Sequence, residues 1–93
     1  MRYENEVRDI LSDGEEWRVR DICEAVTQVI PTAPYAQRYL LFCAGMDFNA
    51  NNHLWLICRR DAGRWYSDIR GVLLKGQRQG WARNVRRGWW KSS

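Results

Sequence analysis

Along the first half of the chain, apolar positions return with helical spacing. In YENEVRDILSDG, Tyr3, Val7, Ile10 and Leu11 fall on one stripe of a helix. Asp13-Gly14 closes that stripe, because glycine accepts the left-handed conformation that ends a helix, so a first helix is predicted over 2–12. Trp17 and Val19 suggest a very short extended stretch. Val19, Ile22, Cys23, Val26 and Ile30 then repeat at helical spacing with Asp21 and Glu24 turned outward, which predicts a second helix over 19–29, stopped by Pro31. Thr32 and Pro34 form a helix-start signal. A third helix is predicted over 33–44, with Ala36, Tyr39, Leu40 and Cys43 inward and Gly45 as its stop.

The rhythm then changes. DFNANN, residues 47–52, is polar and rich in turn formers, hence a loop. HLWLICRR is β-prone, RWYS reads as a second short strand, and RDAGR between them offers Gly63 to a turn. An antiparallel hairpin over 53–67 with its turn at 60–64 is therefore predicted. Beyond Ser67 the pattern is open. DIRGVLLKG suits a strand or a helical turn, and WARNVRRGWWK suits a short basic helix with Trp81 and Val85 on one face. No repeat or long linker divides the chain. The expected organisation is one domain over 1–67 and a basic, Trp/Arg-rich extension over 68–93 packed on it. A chain of 93 residues buries only about two thirds of its unfolded surface, so its core is thin and large rings must fill it. Trp17, Trp55 and Trp65 sit among apolar neighbours and are expected there.

Charge sharpens the picture. Residues 1–53 carry five basic and nine acidic side chains, whereas 54–93 carry ten basic and two acidic. From Arg70 onward there are seven cations and no acid. Such asymmetry points to a polyanionic partner, nucleic acid first. No apolar run approaches the ~18 residues of a membrane span, and the N-terminal segment has no apolar signal core, so a cytoplasmic protein is expected. The three cysteines, Cys23, Cys43 and Cys58, all lie in apolar runs and read as buried free thiols. His53 is the only histidine, and there is no CxxC pair, phosphate-cradling glycine loop or paired-carboxylate signature. Neither a metal, a cofactor nor an enzymatic activity is expected.

The segment DILSDGEEWRVRDICEAVTQVIPTAPYAQRYLLFCAGM followed by HLWLICRRDAGRWYS resembles the winged helix-turn-helix family over roughly residues 3–67. That order is a helix, an acidic-Gly turn, a short strand, two helices and a β-hairpin wing. The resemblance implies an α+β winged helix-turn-helix fold and a small DNA-binding protein, a transcriptional regulator of bacterial, phage or mobile-element origin. It places the third helix in the major groove of duplex DNA, with Tyr35, Gln37 and Arg38 near its N-terminus. Arg38 suits guanine and Gln37 adenine. Arg59, Arg60 and Arg64 of the wing would meet phosphates or the minor groove, and Arg83, Arg86 and Arg87 of the tail would hold phosphates. Such proteins often dimerise, so a homodimer is a further expectation. The alternative is a protein-binding module, such as a phage-type inhibitor that docks on a host complex through its basic, Trp-rich side. GWARNVRRGWW keeps three readings open: a core lid formed by Trp81 or Trp89, a nucleic-acid arm, or a protein interface.

Overall fold

The apolar stripe of the N-terminal segment becomes α1, Glu4–Leu11, with Val7 and Leu11 buried. A computed structural model of the chain describes residues 2–33, 35–43 and 52–93, and the side chains of these except 52–55. The Asp13-Gly14 turn follows α1 with Gly14 at φ 78. It leads into β1, Trp17–Arg18, and directly into α2, Val19–Val29. As the spacing predicts, α2 buries Val19, Ile22, Cys23 and Val26. Thr27 is buried with them because its hydroxyl donates to the Cys23 carbonyl at 2.6 Å. The third helix, α3, runs Ala36–Cys43 and buries Ala36 and Tyr39. Leu40 and Cys43 lie outside the core, so two positions predicted inward are exposed. Pro34 and most of the 47–52 loop fall outside the described residues.

The main correction concerns residues 53–67. They form no hairpin; they belong to α4, Asn52–Gln79, a helix of 28 residues. Its buried positions are Cys58, Asp61, Ala62, Trp65, Ile69, Val72, Leu73 and Gly76, an uninterrupted helical stripe. Ile, Trp and Tyr favour strands locally, but that preference spans only about 1 kcal/mol and yields to burial. The stripe packs against α2 and α3, and Trp65 Nε1 donates to the Cys23 carbonyl at 3.2 Å. The ring of Tyr3 meets Trp65 edge-on at 4.9 Å. Gly63 stands at an open helical position rather than in a turn. A boundary drawn after Ser67 falls inside α4.

The hairpin comes later. Gly80 ends α4, and β2, Ala82–Arg86, turns through Arg87-Gly88 into β3, Trp89–Ser92. Gly88 has φ 78, a conformation that side-chain-bearing residues avoid. The basic helix expected in WARNVRRGWWK is thus two strands, because Trp90 gains more by alternating into the core than Trp81 and Val85 gain on a helix face. The short β1 pairs with β3, giving a three-stranded antiparallel sheet in the order β1-β3-β2. Trp17 pairs with Trp90, and Arg18 with Trp89. The protein is a small α+β domain of four described helices and this sheet. Its core joins α1, α2, α3 and α4 to Ala82 and Trp90 of the sheet, with Trp81 packed at the edge. Burying one Trp ring removes ~150–250 Å² from water, on the order of 4–6 kcal/mol, so Trp65 and Trp90 account for much of a small domain's stability. The core lid of the tail is mainly Trp90, not Trp89.

Candidate nucleic-acid interface

A face of α4 beside its buried stripe carries Tyr66, Arg70, Leu74 and Gln77, spaced four, four and three residues apart, with Leu74 packed against the core. The β2–β3 turn leans toward that face. Between them lies a groove of about 420 Å³, closed on the hairpin side by Asn84, Arg87, Gly88 and Trp90. A smaller depression of about 240 Å³ continues it past Val19 and Tyr66 to Arg18, Arg20 and Trp89. The Val19 amide donates to the Gly88 carbonyl at 3.0 Å and ties the turn to the start of α2. Asn84 Nδ2 donates to the carbonyls of Arg86 and Trp89 at 3.0 and 2.9 Å, which braces the bulged end of the hairpin.

This cleft has a single sign of charge. Arg18, Arg20, Arg70 and Arg87 line it, and none of its lining residues is acidic. Arg18 is held by Asp21 at 3.0 Å, just outside. Among the described residues, Arg20, Arg70 and Arg87 form no ion pair. Tyr66, at the centre, is 39% exposed although large and aromatic. A concave surface with one sign of charge and low-dielectric walls concentrates field and favours a polyanion.

The nine residues singled out from the sequence separate into two groups. Tyr35, Gln37, Arg38, Arg59, Arg60 and Arg64 lie on or near α3 and the first half of α4. There Asp61, 2% exposed, accepts hydrogen bonds from Arg38 and from Arg60 Nε. The Arg38 guanidinium, foremost, holds the Asp61 carboxyl below the usual carboxylate range. Arg64 stacks over the Tyr35 ring at 5.7 Å, and Tyr35 itself is half-buried at φ 67. Tyr35, Gln37 and Arg38 together line a depression of about 510 Å³ at the α2–α3 turn, where Gln37 is exposed. The other group, Arg83, Arg86 and Arg87, sits on the hairpin, and of all nine only Arg87 lines the cleft. Sequence reasoning missed Arg18, Arg20, Tyr66, Arg70, Gln77 and Asn84. A signal for part of this set existed: Tyr66, Arg70 and Gln77 share one helical face once 52–79 is read as a helix.

The thiols divide as well. Cys23 and Cys58 are buried and Cys43 is exposed, so one of the three departs from the expectation. Burial pushes the Cys23 thiol up to about 12, which keeps it protonated and unreactive at neutral pH. Among the described residues, no three His, Cys, Asp or Glu side chains gather as a metal would require. Among them, too, no helix is long and apolar enough to cross a membrane. His53 and the ring of Trp55 lie outside the described side chains. Compared with protein-family models, with curated proteins and with solved structures, the chain finds no match in any of the three.

Proposed function

We propose that this chain is a nucleic-acid-binding domain of the winged-helix kind, reading duplex DNA with α4 and holding its backbone with the β2–β3 hairpin. One observation carries the reading: the acid-free cleft between α4 and the hairpin, lined by four arginines. The order helix, acidic-Gly turn, short strand, helices and hairpin supports it, with one helix more than the sequence pattern suggested. The groove-facing helix is then the second half of α4 rather than α3, and the wing is 82–92 rather than 53–67. From Tyr66 to Gln77 the helix advances about 16 Å, the length of some five base pairs. A major groove ~12 Å wide admits such a helix, and Arg70 and Gln77 are the side-chain types that pair with guanine and adenine. Arg87, Arg20 and Arg18 suit phosphates. A module of this size and chemistry suits the regulation of transcription.

The test is binding to random-sequence duplex across a salt series. The expected result is affinity that falls steeply with salt, with a log–log slope of about −0.9 per phosphate contacted. Duplex binding undetectable at low salt would defeat the reading. A second reading, a protein-binding module, draws on another surface: Leu40, Leu41 and Phe42 of α3 and Leu56 of α4 are each at least 36% exposed. A chain that ignores nucleic acid but self-associates or captures a partner through that patch would favour it.

A further inference from the structure

The tail ends on two consecutive tryptophans, and strand alternation sends them to opposite faces. Trp90 enters the core at 4% exposure. Trp89 is left on the outer face of the sheet, half-buried, where there is no core to fill. Its direct neighbours across the strands are Arg86 on β2 and Arg18 on β1. Both guanidinium groups approach the ring, Arg86 to 4.4 Å and Arg18 to 5.8 Å from its centre. On the same face Arg83 stands opposite Lys91. Like charges placed directly across a sheet destabilise it, so the fold alone gives no reason for this pair. The acids that reach the face come from outside the pairing: Glu16 touches Arg86 at 3.7 Å and Asp21 touches Arg18 at 3.0 Å. Exposed pairs of this type are weak, and a competing phosphate displaces them readily.

An aromatic ring among cations on an open sheet face has the chemistry of a base-stacking platform. The platform also adjoins the cleft. Arg18 and Trp89 line the smaller depression, so a strand leaving the cleft past Arg87 arrives at the Trp89 ring without crossing an acidic residue of the lining. We infer that Trp89, flanked by Arg18 and Arg86, stacks an unpaired base, and that the chain's ligand is a duplex continued by a single strand. This rests on the nucleic-acid reading and narrows it to a substrate class. Arg86 caps the ring from the β2 side. On the β1 side Arg18 stands farther off, and it moves to a phosphate as the base enters. Trp89 discriminates paired from unpaired ends and is indifferent to sequence, because every base presents a π face.

Fluorescence anisotropy with four labelled probes decides the matter: a blunt duplex of mixed sequence, the same duplex carrying a six-thymidine tail on one strand or on the other, and the thymidine tail alone. The wild-type protein, W89A and W89F are compared, with circular-dichroism melting run on each. The expected result is that one of the tailed duplexes binds wild type roughly tenfold tighter than the blunt one. W89A is expected to lose far more affinity for that tailed duplex than for the blunt one, while W89F, which retains a ring, keeps most of the gain. Equal wild-type affinity for tailed and blunt duplex overturns the inference and leaves the duplex reading standing. So does a W89A loss of equal size on both. If W89A fails to fold, the wild-type and W89F comparisons still decide. No binding to any probe defeats the nucleic-acid reading and the inference together.

Discussion

Arginine is concentrated in two places in this molecule, and the two use it in opposite ways. Around the junction of α3 and α4, Arg38 and Arg60 converge on buried Asp61, and Arg64 lies over Tyr35. These three cations already have partners within the fold, although the Arg38 and Arg60 side chains remain largely exposed. Around the cleft, Arg20, Arg70 and Arg87 face solvent with no acid in the lining, and across the hairpin Arg83 even opposes Lys91. Residue type and local density are alike in the two regions. One buried carboxylate separates a structural cluster from a surface suited to a polyanion. Composition and net charge reveal the cations but not which of them are already partnered.

The most drastic way to break the comparison is to end the chain after Ser67. That cut removes Ile69, Val72, Leu73, Ala82 and Trp90 from the core together with the whole cleft. The shortened chain is expected to show no cooperative melt by circular dichroism, and a stable fold would mean that α4 and the hairpin are an appendage. Next in size is the double variant R70A/R87A. It should lower duplex affinity about tenfold or more and reduce the salt slope by about two, with the melting temperature little changed. R38A/R60A should leave the salt slope alone and lower the melting temperature instead. The reverse outcome would exchange the roles of the two regions.

A third test probes the wall of the cleft helix. A Cβ on Gly76 would lie 2.6 Å from Trp81 Cζ2. G76A should therefore destabilise by about 1–3 kcal/mol despite the better helix propensity of alanine, and Trp81 fluorescence should shift as the ring is displaced. Gly63 has nothing within 4 Å of such a Cβ, so G63A should stabilise by about 0.5–1 kcal/mol in a denaturant melt. Gly63 and Gly76, on the same helix, should thus respond with opposite signs. The smallest effect concerns pH. The Asp61 carboxyl is held below its unfolded value of about 3.9, so its contribution is full above that value and fades as pH falls through the lower folded value. Melting temperatures of wild type and D61N should differ at pH 6 and converge as pH falls through the lowered folded value of the carboxyl. A constant gap would show that Asp61 acts through packing alone.

Much of the first half was legible. The stripes Val7–Leu11 and Val19–Val26, the Asp13-Gly14 turn and the short extension at Trp17 all stand in the structure where the spacing places them. So does Trp65, expected in the core and fully buried. The misreading of 53–67 has a physical cause. The stripe Cys58, Ala62, Trp65, Ile69, Val72 is helical in the sequence, but its β-prone residues and Gly63 offer a local alternative of nearly equal energy. Packing against α2 and α3 removes the tie, because only a helix puts all of these side chains on one buried face.

The sequence by itself determined two amphipathic helices, the polarity of charge along the chain and the identity of the cations. Tertiary structure decided which cations are partnered and where a cleft exists. The physical reason is distance along the chain. The three-stranded sheet closes only when Trp17 pairs with Trp90. Arg38 is neutralised only when α3 packs beside Asp61. The cleft forms only when a turn at Gly88 docks on the start of α2. Each of these contacts joins residues that no local periodicity connects, and burial of the shared core selects them together.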